Sequence, residues 1–147
     1  MQYNNYKEKD MKLYRVYGLN GCRMLLHDKT TIYRITKIDI VQDIVNNFGI
    51  PILNTFDNVH TYSKKVFKEK FNNNRAQGII IEFLADYDSQ FDFNAVVKKD
   101  HCIVILDSIN DPQNLGQIIR TCECAGIDSI ILPSNSSISI TDTVLQI

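Results

Sequence analysis

Apolar residues fall along this chain in short clusters whose spacing switches between the strand period and the helix period. Tyr14–Tyr17 is aromatic and β-branched and predicts a strand, which Gly18-Leu19-Asn20-Gly21 breaks. Cys22–His27 reads as a short helix and Thr31–Ile35 as a strand. Ile38, Val41, Ile44, Val45 and Phe48 recur at helical spacing, with Gly49 where a C-terminal cap belongs. Ile50–Leu53 predicts a short strand, with Pro51 tolerable near its start or on an edge. A helix follows over Asp57–Asn72, with Val59, Tyr62, Val66 and Phe67 as its apolar stripe and Lys64, Lys65, Lys68 and Lys70 on its exposed face. The cluster Asn72-Asn73-Asn74 forms a turn, and Gly78–Leu84 is an apolar run short enough for a buried strand. Strand and helix alternate throughout, predicting a small α/β sandwich domain over residues 1–85.

Residues 86–100 carry four acids and show no period, so they predict a linker, with Phe91 and Phe93 as candidates to pin it to a neighbour. A second module covers residues 101–147. Cys102–Leu106 is the kind of continuous apolar strand that a parallel sheet buries on both faces, with Cys102 in the core. The polar loop Asp107–Asp111 comes next, and Pro112 suits a first helical turn because its missing N–H would be an orphan there. Leu115, Ile118, Ile119 and Cys122 mark one helix face, Gly126 ends the helix, and Ser129–Pro133 is the next strand. The result is a parallel βαβ unit with the exposed apolar edge Ile130-Ile131-Leu132. Thr141 then caps a further short helix through Val144 and Leu145.

Charge sharpens this division. Residues 1–85 hold 13 Lys/Arg against 8 Asp/Glu (+5), and residues 86–147 hold 3 against 9 (−6), which together give the chain's −1. The basic module is the candidate for a polyanionic partner, and a merely solvated lysine surface is the competing explanation. Cys22, Cys102, Cys122 and Cys124 form no C-x-x-C pair, and His27, His60 and His101 lack ligand spacing, so no metal site is expected. The charged N-terminus has no apolar core behind it and no apolar run is long enough to span a bilayer, which points to a cytoplasmic protein with no membrane partner.

The segment most suggestive of chemistry is Asp107-Ser108-Ile109-Asn110-Asp111-Pro112-Gln113-Asn114-Leu115-Gly116-Gln117-Ile118-Ile119-Arg120-Thr121. It leaves the carboxyl end of a parallel strand, where ligands of such sheets bind. Asn114 and Arg120 are six apart and so lie on different helix faces. Gly116 in an early turn costs about 1 kcal/mol relative to alanine, which suggests the close approach of another backbone. Spacing alone allows a plainer reading, an Asp-Pro helix start with a solvent-exposed arginine.

This string, followed by Glu123, Ala125 and Gly126, resembles the first motif of the SpoU (TrmH-like) branch of the SPOUT RNA methyltransferases: a strand, D-P-x-N-x-G, and an arginine four positions after the glycine. Val16–Gly21 likewise resembles the opening of the substrate-binding domain that precedes the catalytic domain in that family. Ala76-Gln77-Gly78 keeps the Gln-Gly of the family's His-Gln-Gly and lacks its histidine.

The resemblance implies methyl transfer from S-adenosylmethionine to a ribose 2′-hydroxyl of rRNA or tRNA. Arg120 would be the cation that stabilises the developing alkoxide, and Asn114 the residue that orders the site. Lys64, Lys65, Lys68 and Lys70 would contact RNA phosphates. Tyr14, Tyr17 and Tyr33 could stack on bases, though core packing suits each better. The family's cofactor site is a C-terminal trefoil knot whose second and third motifs have no counterpart before Ile147. Hence the expectation is the first βαβ part of a SPOUT domain without its knot, with no cofactor binding or catalysis by this chain alone. The homodimer typical of complete relatives is in doubt here. A non-catalytic RNA-binding module is the alternative. An unrelated nucleotide-binding fragment is disfavoured by the lack of a glycine-rich phosphate loop.

Overall fold

A computed structural model describes residues 11–29, 34–87, 94, 97–134 and 139–146. It divides into two compact units, residues 1–86 and 87–147. Phe91, Phe93 and Tyr33 lie outside the described residues.

The first unit is a four-stranded sheet built from β1 (Lys12–Tyr17), β2 (Arg34–Val41), β3 (Val59–Tyr62) and β4 (Ile79–Ala85), in the order β1-β4-β2-β3. The β1/β4 and β4/β2 pairs are antiparallel, whereas β2/β3 is parallel. β4 is central, which explains its unbroken apolar run. Ile79, Ile81, Phe83 and Ala85 fill one face, and Ile80 joins Val41, Phe67 and Ala76 on the other. Helix α1 (Leu19–His27) packs on β1 and β4, and α3 (Lys64–Phe71) packs on β2 and β3. Tyr14 is buried with its ring 6.0 Å from that of Phe83, and Tyr17 packs half-buried against the α3-side cluster. These two tyrosines are therefore packing residues.

Three expected elements differ. The predicted helix over Ile38–Phe48 is instead the end of β2 followed by a 3-10 helix, Gln42–Phe48, with Gly49 in the left-handed conformation (φ 72°). The residue that decides this is Asp39. It is only 1% exposed, yet is satisfied in the strand because Lys37 Nζ lies 2.9 Å from Oδ2 and the Tyr62 hydroxyl donates to Oδ1 at 2.8 Å. The predicted strand at Ile50–Leu53 is the short helix α2 (Ile52–Thr55), whose entry after Pro51 is fixed by Thr55 N–H donating to the Pro51 carbonyl at 2.9 Å. The long helix expected from Asp57 to Asn72 breaks into β3 and α3. Asn58 draws the chain onto β2, its Nδ2 donating to the Thr36 carbonyl and its own carbonyl accepting from Ile38 N–H, both at 2.9 Å. Ser63 then caps α3 by accepting from Val66 N–H.

In the second unit β5 (Ile103–Ile105) pairs in parallel with β6 (Ser129–Ile131), and α4 (Pro112–Cys124) crosses between them as the pattern anticipates. Among the described residues, Leu115, Gly116 and Cys122 of α4 and Val144 of α5 (Asp142–Leu145) are buried. β5 is not buried on both faces as expected, since Ile105 is 73% exposed. Cys102 is exposed and not core, because it precedes the strand, its N–H donating to the Asp128 carboxylate at 2.8 Å.

Candidate functional site

Local chemistry dictates the start of α4. Asp111 stands at the N-cap, its Oδ1 accepting from Gln113 N–H at 2.9 Å, and Pro112 occupies the first turn. The far end closes as a Schellman motif: Ile127 N–H reaches the Cys122 carbonyl at 3.0 Å, and Gly126 N–H the Glu123 carbonyl at 3.1 Å, with Gly126 at φ 71°. Gly116 is buried on the inner face beside Leu115. Asn114 lies exposed in the first helical turn. Arg120, also exposed, lies about 9 Å further along the axis at the helical rise. The helix thus presents the two residues at different levels and on different faces, as their spacing required. Within the preceding loop Asp107, Ser108, Asn110 and Asp111 are exposed, and Ser108 takes a left-handed conformation (φ 56°) with its hydroxyl donating to Asp107 Oδ1 at 3.0 Å.

In the first unit the lysines of α3 do not act alike. Lys64 Nζ lies 3.3 Å from Asp43 Oδ2, and both side chains are largely exposed, so the pair is weak. Lys65 and Lys68 are exposed. Lys70 donates to the Tyr62 hydroxyl at 2.9 Å, and its ammonium sits 4.8 Å from the Tyr62 ring centroid and 5.5 Å from that of Phe71. Because Tyr62 in turn donates to Asp39, Lys70 ends a chain running Lys37–Asp39–Tyr62–Lys70. The hydrogen bond to Asp39 raises the Lys37 pKa, and the neighbouring carboxylate charges add to it against the cost of desolvation. Sequence reasoning missed this chain because it links three separate elements.

The two family-like segments of the first unit meet in space. Gly18 N–H lies 3.1 Å from the Ala76 carbonyl and 3.2 Å from that of Ile79, and Gln77 Oε1 accepts from Leu19 N–H at 2.9 Å, filling an orphan-donor position at the start of α1. A Cβ on Gly18 (φ 90°) would meet the Arg75 carbonyl at 3.2 Å, so the contact requires glycine. Gln77, met in the sequence as part of a motif, is here a helix cap supplied by another segment.

Next to α3 an open hollow of about 300 Å³ is lined by Val41, Ile44, Phe67, Lys64, Lys68, Asn73, Asn74, Gln77 and Gly78. No group of His, Cys, Asp and Glu suited to a metal ion occurs among the described residues. No helix among them is long and apolar enough to cross a membrane.

Residues 101–147 match the model of the SpoU rRNA Methylase family. The chain is 24% identical over 134 residues to the 23S rRNA (guanosine-2'-O-)-methyltransferase RlmB of Haemophilus ducreyi, an alignment that covers 86% of this chain and 54% of the relative. Its fold resembles the AdoMet-bound rRNA methyltransferase of Sinorhizobium meliloti, with a TM-score of 0.61 at 23% identity over 90% of this chain and 48% of that one. It also resembles the SpoU methyltransferase AviRb of Streptomyces viridochromogenes, in complex with AdoMet, with a TM-score of 0.64 at 15% identity over 99% and 53%. The chain therefore spans about half the length of the relatives it matches. With its D-P-x-N-x-G and arginine carried on a parallel βαβ unit, the second unit matches the SpoU family, and the likeness to SpoU/TrmH-family RNA methyltransferases extends through the preceding unit.

Proposed function

We propose that this chain carries the RNA-holding module and the first part of the methyl-transferring module of an RNA ribose 2′-O-methyltransferase, residues 1–85 and 101–147 joined by a linker at 86–100. The observation that carries the reading is the placement of the family motif at the carboxyl end of β5, on a helix that exposes both Asn114 and Arg120. A ribose hydroxyl is a poor nucleophile near neutral pH, and a fixed cation favours its reaction by stabilising the alkoxide as it forms. Arg120 is that cation. A guanidinium suits an electrostatic role and not that of a base. Asn114, about 1.7 turns earlier, orders the nucleotide or the arginine. Lys64, Lys65 and Lys68 contact phosphates, and Lys70 supports α3 through Tyr62.

S-adenosylmethionine supplies the methyl group in such a reaction. The residues present do not form its site by themselves. The loop at the end of β5 is exposed at Asp107, Ser108, Asn110 and Asp111, and Ile105 beside it is open to solvent, whereas a cofactor of this size is held in a cleft that buries most of it. The trefoil knot of the family and the homodimer of its complete members would need chain beyond these residues. Titration calorimetry of the 147-residue chain with S-adenosylmethionine is expected to give no stoichiometric heat, and a micromolar association would overturn this part.

The exposure of Ile105 favours a second reading, an RNA-binding module without chemistry. Both readings require RNA retention. On rRNA fragments, log K should fall linearly with log salt as counterions are released, and loss of all binding at low salt would sink the RNA-holding role. Methyl transfer to RNA, restored when the purified chain is supplied with the remaining half of a relative's catalytic domain, would separate the two.

A further inference from the structure

We infer that the hollow beside α3 is a subsite for one unpaired, acceptor-rich ribonucleotide of an RNA strand, uridine or guanosine. This rests on the RNA-holding role and narrows it from a lysine surface to a site that discriminates between bases. Its volume, about 300 Å³, lies at the small end of ligand sites and suits a single nucleotide. Val41, Ile44 and Phe67 supply an apolar wall for a base, and Lys64, Lys68, Asn73, Asn74 and Gln77 a polar one.

The sign of that polar wall follows from hydrogen bonds already made. Arg75 N–H donates to Asn73 Oδ1 and Leu19 N–H donates to Gln77 Oε1, each at 2.9 Å. A backbone N–H requires an oxygen, so the orientation of both amides is fixed and their –NH2 groups remain as the main unspent hydrogen-bonding capacity. The two lysines can only donate. The wall is therefore rich in donors, and it matches phosphate oxygens, O4 and O2 of uracil, and O6 and N7 of guanine. The exocyclic amino groups of cytosine and adenine would set donor against donor. Asp43 is in a largely exposed pair with Lys64 at 3.3 Å, so exchanging it for a phosphate costs little.

The wall is also held in place. Gln77 (φ 52°) and Gly78 (φ 88°) both take left-handed conformations, and a Cβ on Gly78 would meet Ile44 Cδ1 at 3.1 Å and Val41 Cγ2 at 3.2 Å. Gln77 and the Val41–Ile44 part of the apolar wall thus meet at one tightly packed turn, which lowers the ordering cost of binding there.

The test measures binding of the full chain to oligouridylate and oligocytidylate of equal length by fluorescence anisotropy at fixed salt. These oligomers differ at two adjacent ring positions, uracil offering acceptor O4 and donor N3–H where cytosine offers a donor amino group and acceptor N3, so a preference for uridylate reports that the wall faces the position-4 edge. The expected preference for uridylate is about fivefold, the worth of one hydrogen bond. Asn74→Ala and Lys68→Ala should each bring that ratio toward one, while Lys65→Ala, outside the hollow, weakens both oligomers equally and leaves the ratio in place. All three sites are exposed, and circular dichroism checks that the variants fold. Equal binding of the two oligomers, or a preference untouched by Asn74→Ala and Lys68→Ala, overturns the subsite and leaves the RNA-holding role standing. Absence of binding to any RNA overturns both. If uridine monophosphate binds as tightly as the oligomer, the occupant is a free nucleotide and the strand assignment is wrong.

Discussion

The two units of this chain satisfy their hydrophobic residues to very different degrees. In the first, β4 has partners on both edges and side chains packed on both faces, and Phe83, Ile79 and Ile81 are almost wholly buried. In the second, β5 and β6 pair chiefly with each other among the described residues, and Ile105 is left open to solvent. An apolar strand gains stability only from the area it removes from water, at roughly 25 cal/mol per Å². The same kind of residue therefore contributes unequally in the two units. The first is a sheet packed on both faces, whereas the second displays its motif on a helix beside a strand that leaves Ile105 exposed.

The largest expected effect separates the two directly. Phe83→Ala should cost about 3–5 kcal/mol in urea unfolding, as for other buried aromatic truncations. Ile105→Ala should stay within about 0.5 kcal/mol, as for an open surface position. Equal losses would show that β5 is covered in solution and would break the contrast.

A second test uses Cys22, which is wholly buried in the first unit. Desolvation raises its thiol from 9.0 to about 12, against a smaller lowering by a backbone hydrogen bond at Ile81. A raised folded-state pKa means that this stability is fully present below pH 9 and is lost as pH climbs toward 12. Three pKa units set an upper bound of about 4 kcal/mol on that loss. Cys22→Ala should flatten the alkaline limb of the stability curve. Meanwhile exposed Cys102 and Cys124 should react with a thiol reagent in the native state, and Cys22 and Cys122 only on unfolding. Native-state modification of Cys22 would contradict the packing of α1 on the sheet.

Smaller effects sharpen each side. Tyr62→Phe leaves buried Asp39 with one partner fewer and removes the acceptor for Lys70, at an expected cost of about 1–3 kcal/mol. In the second unit Asp111→Ala removes the cap of α4 and should cost about 1 kcal/mol of that unit's stability, with the first unit's transition unchanged. A shift of both transitions together would mean that the units unfold as one.

Much of this was legible in the residues themselves. The cap at Asp111, Pro112 in the first turn, the Gly126 terminus and the Thr141 cap of α5 depend on interactions within a few positions, so the sequence specifies them locally. The apolar run of β4 announces burial on both faces for the same reason. Where local pattern misled, tertiary pairing outweighed it. Ile38 to Phe48 has helical spacing, yet Lys37 and Tyr62 neutralise Asp39 only within the sheet, and Asn58 converts the start of a lysine-rich helix into β3. The candidate sites divide along the same line. Asn114 and Arg120 could be named from a motif and a helical period. The donor-lined hollow could not, because Asn73 and Gln77 acquire their chemical sign from backbone groups, and only the fold brings Leu19 to Gln77 across the intervening chain.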